Sequence, residues 1–179
     1  MLTERLYTAI VKIDEANSLD ELHKSIAAAK TLLGFHYYAF IQSNSGRSVG
    51  GLLLQDYPDS WVNLQSETYG FAQSPVLQLA SQTATPFEWR EIPSLLSVTP
   101  GQSAYLRLAA AHGLGQGFTV PIHAPGEASA LVSFVNPDDC PIERSSLPHA
   151  MYVATRAFAA GSRIRRAFAD HHARLSESD

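Results

Sequence analysis

The sequence has little cysteine and no long apolar run. Cys140 is the only cysteine among 179 residues, so an intrachain disulfide is excluded and a reducing compartment is expected. No segment approaches the roughly 18 consecutive apolar residues that a membrane-spanning helix needs. The N-terminal stretch MLTERLYTAIVKIDEA carries charges through its apolar positions, which excludes a signal peptide. These features predict a single soluble, cytoplasmic domain.

Concentrated positive charge and metal-binding spacings are also missing. Seventeen acidic and thirteen basic side chains give a formal charge of −4, and the densest basic cluster is SRIRR near the C-terminus. The histidines are scattered, and no H-E-x-x-H, H-x-x-E-H or paired-cysteine spacing occurs. The sequence therefore predicts no nucleic-acid-binding surface within these residues, no metal and no other cofactor.

The order of apolar patterns predicts a mixed α/β (α+β) fold. Helical periodicity, with a capping signal at Ser18 and a stop at Gly34, is followed by a strand over 35–42 and a returning strand over 49–55. The remaining predicted elements are helices over 58–69 and 74–84, an extended or loop segment over 86–92, a helix over 101–113, a hairpin over 118–135 and a helix over 142–168. This order describes an α/β/α sandwich around an antiparallel sheet.

One short motif has a catalytic interpretation. GRSVG, residues 46–50, matches the G-x-S-x-G pattern of a nucleophile elbow, with Ser48 as the nucleophile and Asp138 and His149 as downstream partners. That chemistry needs a helix after the serine, whereas GLLLQ is typical of a strand. A hairpin turn is therefore the favoured interpretation, and a small serine hydrolase is the alternative.

Aromatic and small polar side chains are concentrated between residues 57 and 105. These side chains are Tyr57, Trp61, Gln65, Tyr69, Ser74, Trp89 and Tyr105. An apolar surface with a few placed donors and acceptors is typical of a small-molecule pocket. An ordinary aromatic core would show the same pattern, so the pattern alone leaves both interpretations open.

Five segments together resemble a known family. GFHYYAF, YPDSW, SPV, PFEW and AAHGLGQGFTVPIHAPGEASALVSFV follow one another in the order and at the spacings of the LuxR-type autoinducer-binding domain, the sensor half of bacterial quorum-sensing transcription factors. The likeness covers nearly the whole chain. The resemblance implies a five-stranded antiparallel sheet between helices, an acyl-homoserine lactone between sheet and helices, a homodimer, and no enzymatic activity.

The resemblance also implies which residues contact the ligand. Trp61 matches the tryptophan whose indole N–H donates to the lactone carbonyl. Tyr57 matches a tyrosine that lines the acyl chain, and Trp89 matches the tryptophan that packs against the lactone ring. Further carried-over positions are Val76 in the SPV motif as a pocket residue, Tyr105 at a usually aromatic position, and Gly117 as the recurrent glycine before a strand.

Three polar positions depart from the family pattern. Gln65 replaces a tyrosine that donates to the ligand's amide carbonyl, and Ser74 replaces an aspartate that accepts from its amide N–H. In the last hairpin the family has a serine or threonine that also reaches the amide carbonyl. Counted without gaps, that position is Phe134 in this sequence, and Ser133 is adjacent to it. A neutral acceptor contributes less than a charged one, so Ser74 is expected to lower the affinity for an amide about tenfold or more.

These features predict a signal-binding domain with an altered, neutral head-group site. Residues 1–170 are expected to form the ligand-binding and dimerisation domain, and 171–179 a polar tail or the start of a linker to a DNA-binding domain outside this chain. The ligand is an acyl-homoserine lactone or another apolar signal such as a pyrone, a resorcinol or a plant compound. The alternative is a truncated regulator that binds another ligand or none and acts by protein pairing.

An apolar stripe lies on the last predicted helix, at Leu147, Met151, Ala154 and Phe158. It either packs on the sheet or forms a dimer surface.

Overall fold

Helix, sheet and helix layers make up the computed structural model, which describes residues 2–43, 51–69 and 73–176. The helices are α1 (Leu2–Glu15), α2 (Leu19–Leu32), α3 (Asp59–Leu64), α4 (Pro75–Gln82), α5 (Ile92–Leu95), α6 (Pro100–Ala111) and α7 (Leu147–Ser176). The strands are β1 (Tyr37–Gln42), β2 (Leu52–Gln55), β3 (Phe87–Glu88), β4 (Gln116–Ile122) and β5 (Ala130–Asn136). A π-helical turn, Gln65–Tyr69, extends α3. The predicted α/β/α sandwich is confirmed.

The strands form one antiparallel sheet in the order β2-β1-β5-β4-β3. Successive side chains of a strand point to opposite faces, so each strand contributes to two cores. Along β5, Val132 and Phe134 lie in the core beneath α1, α2 and α7, whereas Leu131 and Val135 lie in the core beneath α4 and α6. The sheet therefore separates the core beneath α1, α2 and α7 from the core that contains the aromatic and polar side chains of residues 57–105.

Local signals explain where α2 begins and ends. The Ser18 hydroxyl accepts the backbone N–H of Glu21 at 3.2 Å, and the Glu21 carboxylate accepts the backbone N–H of Asn17 at 2.8 Å. These bonds satisfy donors that the first helical turn leaves without partners. Gly34 then adopts a positive φ of 84°, which glycine tolerates without steric cost, and turns the chain into β1.

An ion pair between the buried Lys30 and the partly exposed Asp56 fixes the segment between β2 and α3. The Lys30 ammonium lies 2.6 Å from the Asp56 carboxylate, and the other oxygen of that carboxylate accepts the backbone N–H of Tyr38 at 2.7 Å. The same ammonium donates to the carbonyl oxygen of His36 at 2.8 Å. Because Asp56 immediately precedes Tyr57, these contacts set the place at which Tyr57 enters the second core.

The final helix is longer than the sequence pattern predicts and uses its apolar face inside the domain. α7 continues past the predicted end at Phe168 to Ser176. Within the predicted stripe, Ala154 and Phe158 are buried against the sheet, while Met151 is 40% exposed. Two of the four stripe residues are therefore buried inside the domain, and a dimer surface on this helix stays a prediction.

Some expectations concern parts of the chain that lie outside the described residues. Residues 44–50, which include Ser48 and the predicted hairpin turn, are among them, as is the side chain of Tyr69. Within the described ranges, no helix is long and apolar enough to cross a membrane. In the same ranges, no group of three or more His, Cys, Asp or Glu side chains could hold a metal ion.

Candidate ligand pocket

A cavity lies in the second core, between the sheet and helices α3, α4 and α6. Its volume is about 40 Å³, well below the roughly 300 Å³ at which small-molecule pockets begin. The predicted site residues that line it are Tyr57, Trp61, Gln65, Ser74, Val76, Trp89 and Tyr105. The fold thus brings together side chains that are far apart in the sequence.

Helix α3 places Trp61 deep in this pocket. The side chain is 1% exposed, and its ring meets the Tyr105 ring edge to face, with centroids 5.1 Å apart and an interplanar angle of 81°. This packing orients the indole, yet within the described residues its N–H donates to no acceptor. A neutral hydrogen bond from this N–H to a ligand would contribute about 0.5–1.5 kcal/mol. The indole N–H is therefore the group of this pocket with most to gain from a carbonyl oxygen.

Gln65, Tyr105 and Ser74 form one hydrogen-bonded corner of the pocket. The Gln65 Nε2 donates to the Tyr105 hydroxyl at 2.9 Å. Ser74 is the N-cap of α4, where its hydroxyl oxygen accepts the backbone N–H of Leu77 at 3.3 Å. The Ser74 hydroxyl also hydrogen-bonds to Tyr105. Ser74 therefore has both a folding role, as a helix cap, and a place in the pocket wall.

A second polar chain crosses the floor of the pocket. Trp89 Nε1 donates to the Thr119 Oγ1 at 2.9 Å, and that oxygen lies 2.7 Å from the Ser133 Oγ. Ser133 in turn hydrogen-bonds to the Tyr57 hydroxyl. An indole N–H can only donate, so the chain has a defined direction at Trp89. Because its polar groups bond to one another, this floor can remain buried without a charged partner.

The pocket is electrically neutral. Burial raises the pKa of the Tyr57 hydroxyl well above its ordinary value near 10, and burial likewise raises the pKa of Tyr105, against the opposing effect of the Ser74 hydrogen bond. Both phenols are therefore protonated at physiological pH. None of the described residues that line the cavity is acidic or basic. A charged ligand would have no counter-charge here, so the chemistry of the pocket suits a neutral molecule.

Comparison with known proteins places this arrangement in a family. The sequence profile of the family described as "Autoinducer binding domain" matches residues 18–160. The chain belongs to the autoinducer-binding domain family. It is a domain of the LuxR type from quorum-sensing regulators, and not an enzyme.

Similar proteins agree with this assignment. The transcriptional activator protein AhyR of Aeromonas hydrophila is 27% identical over 154 residues, which are 82% of this chain and 58% of AhyR. The transcriptional activator protein BjaR1 of Bradyrhizobium diazoefficiens is 32% identical over 82 residues, 46% of this chain and 34% of BjaR1. This autoinducer-binding domain therefore spans less than two thirds of the length of the curated relatives it matches.

Solved structures share the fold of this autoinducer-binding domain. CepR2 of Burkholderia cenocepacia, described as N-acylhomoserine lactone dependent, superposes with a TM-score of 0.69 at 17% identity, covering 90% of this chain and 93% of CepR2. SdiA in complex with octanoyl-rac-glycerol superposes with a TM-score of 0.70 at 19% identity, covering 91% of this chain and 67% of SdiA. At these identities the likeness establishes the architecture.

The prediction that Phe134 lines the pocket is wrong. Phe134 is fully buried in the other core, where its ring lies 5.4 Å from that of Phe35. Its neighbour Ser133 faces the pocket instead. A strand reverses its side-chain direction at every residue, so a shift of one position transfers a side chain to the opposite face of the sheet.

Sequence reasoning also missed polar groups that the structure adds to the site. Thr119 connects Trp89 to Ser133, and Gln55 lines the cavity from the end of β2. The alternation of side chains along β4 and β5 could have indicated Thr119 and Ser133, because these polar residues lie between apolar ones of the opposite face. The pairing of Thr119 with Ser133 depends on strand register, which one sequence does not specify.

Proposed function

We propose that this autoinducer-binding domain holds a small, neutral and largely apolar signal in the pocket around Trp61. The buried indole N–H, without an acceptor among the described residues, carries the proposal. A ligand carbonyl at Trp61 would complete the hydrogen bonding of this wall. In the parent regulator, ligand binding would then be coupled to dimerisation and to DNA binding by a part of the protein outside this chain.

The size of the cavity requires the pocket to expand on binding. About 40 Å³ accommodates a few water-sized molecules at most, whereas an acyl-homoserine lactone has well over ten heavy atoms. The Gln65–Tyr105 bond and the π-helical turn that begins at Gln65, one helical turn after Trp61, could rearrange. A π-helical turn is a less regular stretch of helix and is often found at functional sites. We therefore expect ligand binding to involve repacking of this corner.

Two ligand classes fit the neutral pocket. An acyl-homoserine lactone would place a carbonyl at Trp61 but find no carboxylate for its amide N–H at Ser74. A molecule without the amide, such as the octanoyl-rac-glycerol bound by SdiA, would lose nothing from that substitution. Both classes carry an acyl chain that the apolar wall of Val76, Ala109 and Leu131 would bury.

Thermal unfolding with and without ligand tests the proposal. N-octanoyl-homoserine lactone and octanoyl-rac-glycerol are added at about a hundredfold excess over their dissociation constants, which stabilises a two-state domain by about 2.7 kcal/mol and raises Tm by several degrees. Trp61→Phe keeps most of the apolar ring but removes the N–H, so the ligand-induced shift should largely disappear. An unchanged shift in that variant would contradict the role of Trp61.

A matched control separates lost binding from lost stability. Phe158→Leu alters the core on the opposite face of the sheet and leaves every pocket-lining residue in place. It should lower Tm without ligand by an amount expected of a conservative core change, about 1 kcal/mol. Its ligand-induced shift should equal that of the wild type. A loss of the shift in both variants would show that general destabilisation, and not the indole N–H, is responsible.

The small cavity also favours a second candidate function. A domain with a filled aromatic core could bind no ligand and act only by pairing with another protein chain. This candidate predicts that neither octanoyl compound changes Tm. It also predicts that Trp61→Phe lowers stability as an ordinary core substitution does, and that neither the wild type nor this variant is stabilised by the octanoyl compounds. Stabilisation of the wild type by either compound would exclude it.

A further inference from the structure

The two polar side chains beside Tyr105, Ser74 and Gln65, differ in how many of their hydrogen-bonding atoms already have partners. Ser74 already employs its oxygen as the cap of α4 and its hydroxyl toward Tyr105. Gln65 employs only its Nε2, toward Tyr105, and within the described residues its carbonyl oxygen accepts no hydrogen bond. A carboxamide has two N–H donors and a carbonyl oxygen that can accept two bonds. Among the described residues the Gln65 carbonyl oxygen therefore has both lone pairs available, whereas the Ser74 oxygen already has one engaged.

We propose that the carbonyl oxygen of Gln65 accepts the N–H of a ligand amide, and that Gln65 thereby decides between amide-linked and ester-linked signals. This inference rests on the proposed function, because it requires a ligand in the Trp61 pocket. It assigns the recognition of the amide to the turn after Trp61 and not to the cap of α4. The favoured ligand class is accordingly an acyl amide.

The geometry places a donor and an acceptor side by side. Trp61 and Gln65 are one helical turn apart, so their side chains project toward the same side. Both contact Tyr105: Trp61 through its ring and Gln65 through a hydrogen bond of 2.9 Å. Because Nε2 is held by Tyr105, the carbonyl oxygen of the same planar group is the end that remains for a ligand. An amide-linked lactone offers the complementary pair, a carbonyl for Trp61 and an N–H for Gln65.

Other neutral acceptors are less suited to this role. Ser133 is engaged with Thr119 at 2.7 Å and with Tyr57. Gln55 has a carboxamide that lines the cavity, but it belongs to the end of β2 and not to the helical turn that follows Trp61. Gln55 is therefore the matched control for Gln65, with the same functional group on another wall of the same pocket.

The test compares two ligands that differ in one group. N-octanoyl-homoserine lactone and its ester analogue, in which oxygen replaces the amide N–H, are titrated by calorimetry into wild type, Gln65→Met, Gln55→Met and Phe158→Leu. The measured quantity is the ratio of the ester Kd to the amide Kd for each protein. Costs common to both ligands, including any loss of protein stability, cancel in this ratio.

The wild type should bind the amide about fivefold more tightly than the ester, which is the effect of one neutral hydrogen bond. Gln65→Met should bring the ratio near one, because methionine keeps the length of the side chain but has no carbonyl oxygen to accept the amide N–H. Gln55→Met should keep the wild-type ratio, and so should Phe158→Leu, which alters only the core on the opposite face of the sheet. A wild-type ratio of one, a ratio that survives Gln65→Met, or a ratio lost in either control overturns the assignment to Gln65. Binding of neither ligand overturns the proposed function itself.

Discussion

A single added methyl group at Gly117 should displace Trp89 from the pocket wall. A Cβ at Gly117 would lie 2.2 Å from Cδ2 and Cε2 of the Trp89 ring and 2.6 Å from its Nε1. Carbon atoms in contact are about 3.5 Å apart or more, so the rigid ring has to move. Trp89 is 8% exposed and donates to Thr119, so moving it removes both its burial and that hydrogen bond.

The expected cost of Gly117→Ala combines these two effects. Overpacking of a core costs about 1–3 kcal/mol, and loss of a neutral buried hydrogen bond adds about 1 kcal/mol. A total of about 2–4 kcal/mol lowers Tm by roughly 4–16 °C for a domain of this size. Gly101→Ala is the control, because the nearest atoms to a Cβ there are at 3.7 and 3.8 Å. Since Gly101 lies in α6, alanine should leave stability unchanged or raise it by up to about 1 kcal/mol.

Circular dichroism and tryptophan fluorescence check the prediction together. The sequence has two tryptophans, so in a Trp61→Phe background the emission reports Trp89 alone. Gly117→Ala should lower Tm and shift this emission to the red as the ring becomes exposed. A variant with the Tm and emission of its parent would refute the reasoning, because it would show that strand β4 or the ring can absorb the methyl group without cost.

Two further predictions concern stability. Asp56→Ala removes the carboxylate that pairs with the Lys30 ammonium, in a residue 8% exposed, and the acceptor of the Tyr38 backbone N–H. We expect the free energy of unfolding, measured by chemical denaturation, to fall by about 2–3 kcal/mol. A fall below about 0.5 kcal/mol would contradict the structural role of the pair. Burial raises the pKa of Tyr38, Tyr57 and Tyr105 above 10.0. The stability that comes from keeping these phenols neutral is complete below pH 10 and is lost as the pH rises above about 10, because the unfolded chain then releases protons that the folded domain retains. In an absorbance titration against pH, the three tyrosine hydroxyls should ionise only as the domain unfolds. Ionisation at a lower pH, while the circular dichroism still shows a folded domain, would disprove their burial.

Much of the fold follows from short-range signals in the sequence. Ser18 and Gly34 mark the bounds of α2 because a side-chain cap and a positive φ are local requirements. The strand over 35–42 was predicted from its aromatic and branched residues and corresponds to β1. The end of α7 could not be found in this way, since residues 169–176 are exposed and mostly polar and no apolar stripe marks them.

Some features of the candidate site likewise follow from the sequence, whereas others depend on the tertiary structure. The sequence alone determined that Trp61 and Gln65 share a helical face and that no carboxylate stands at Ser74, because these depend on residue identity and helical spacing. Only the tertiary structure decided that Ser133, and not Phe134, faces the pocket, because strand register sets the face and register depends on residues distant in the sequence. It also decided the pairing of Gln65 with Tyr105 and the volume of about 40 Å³. The Gln65–Tyr105 pairing and the cavity volume both depend on how the helices pack against the sheet. The pattern of residue types along the sequence does not give the closeness of that packing.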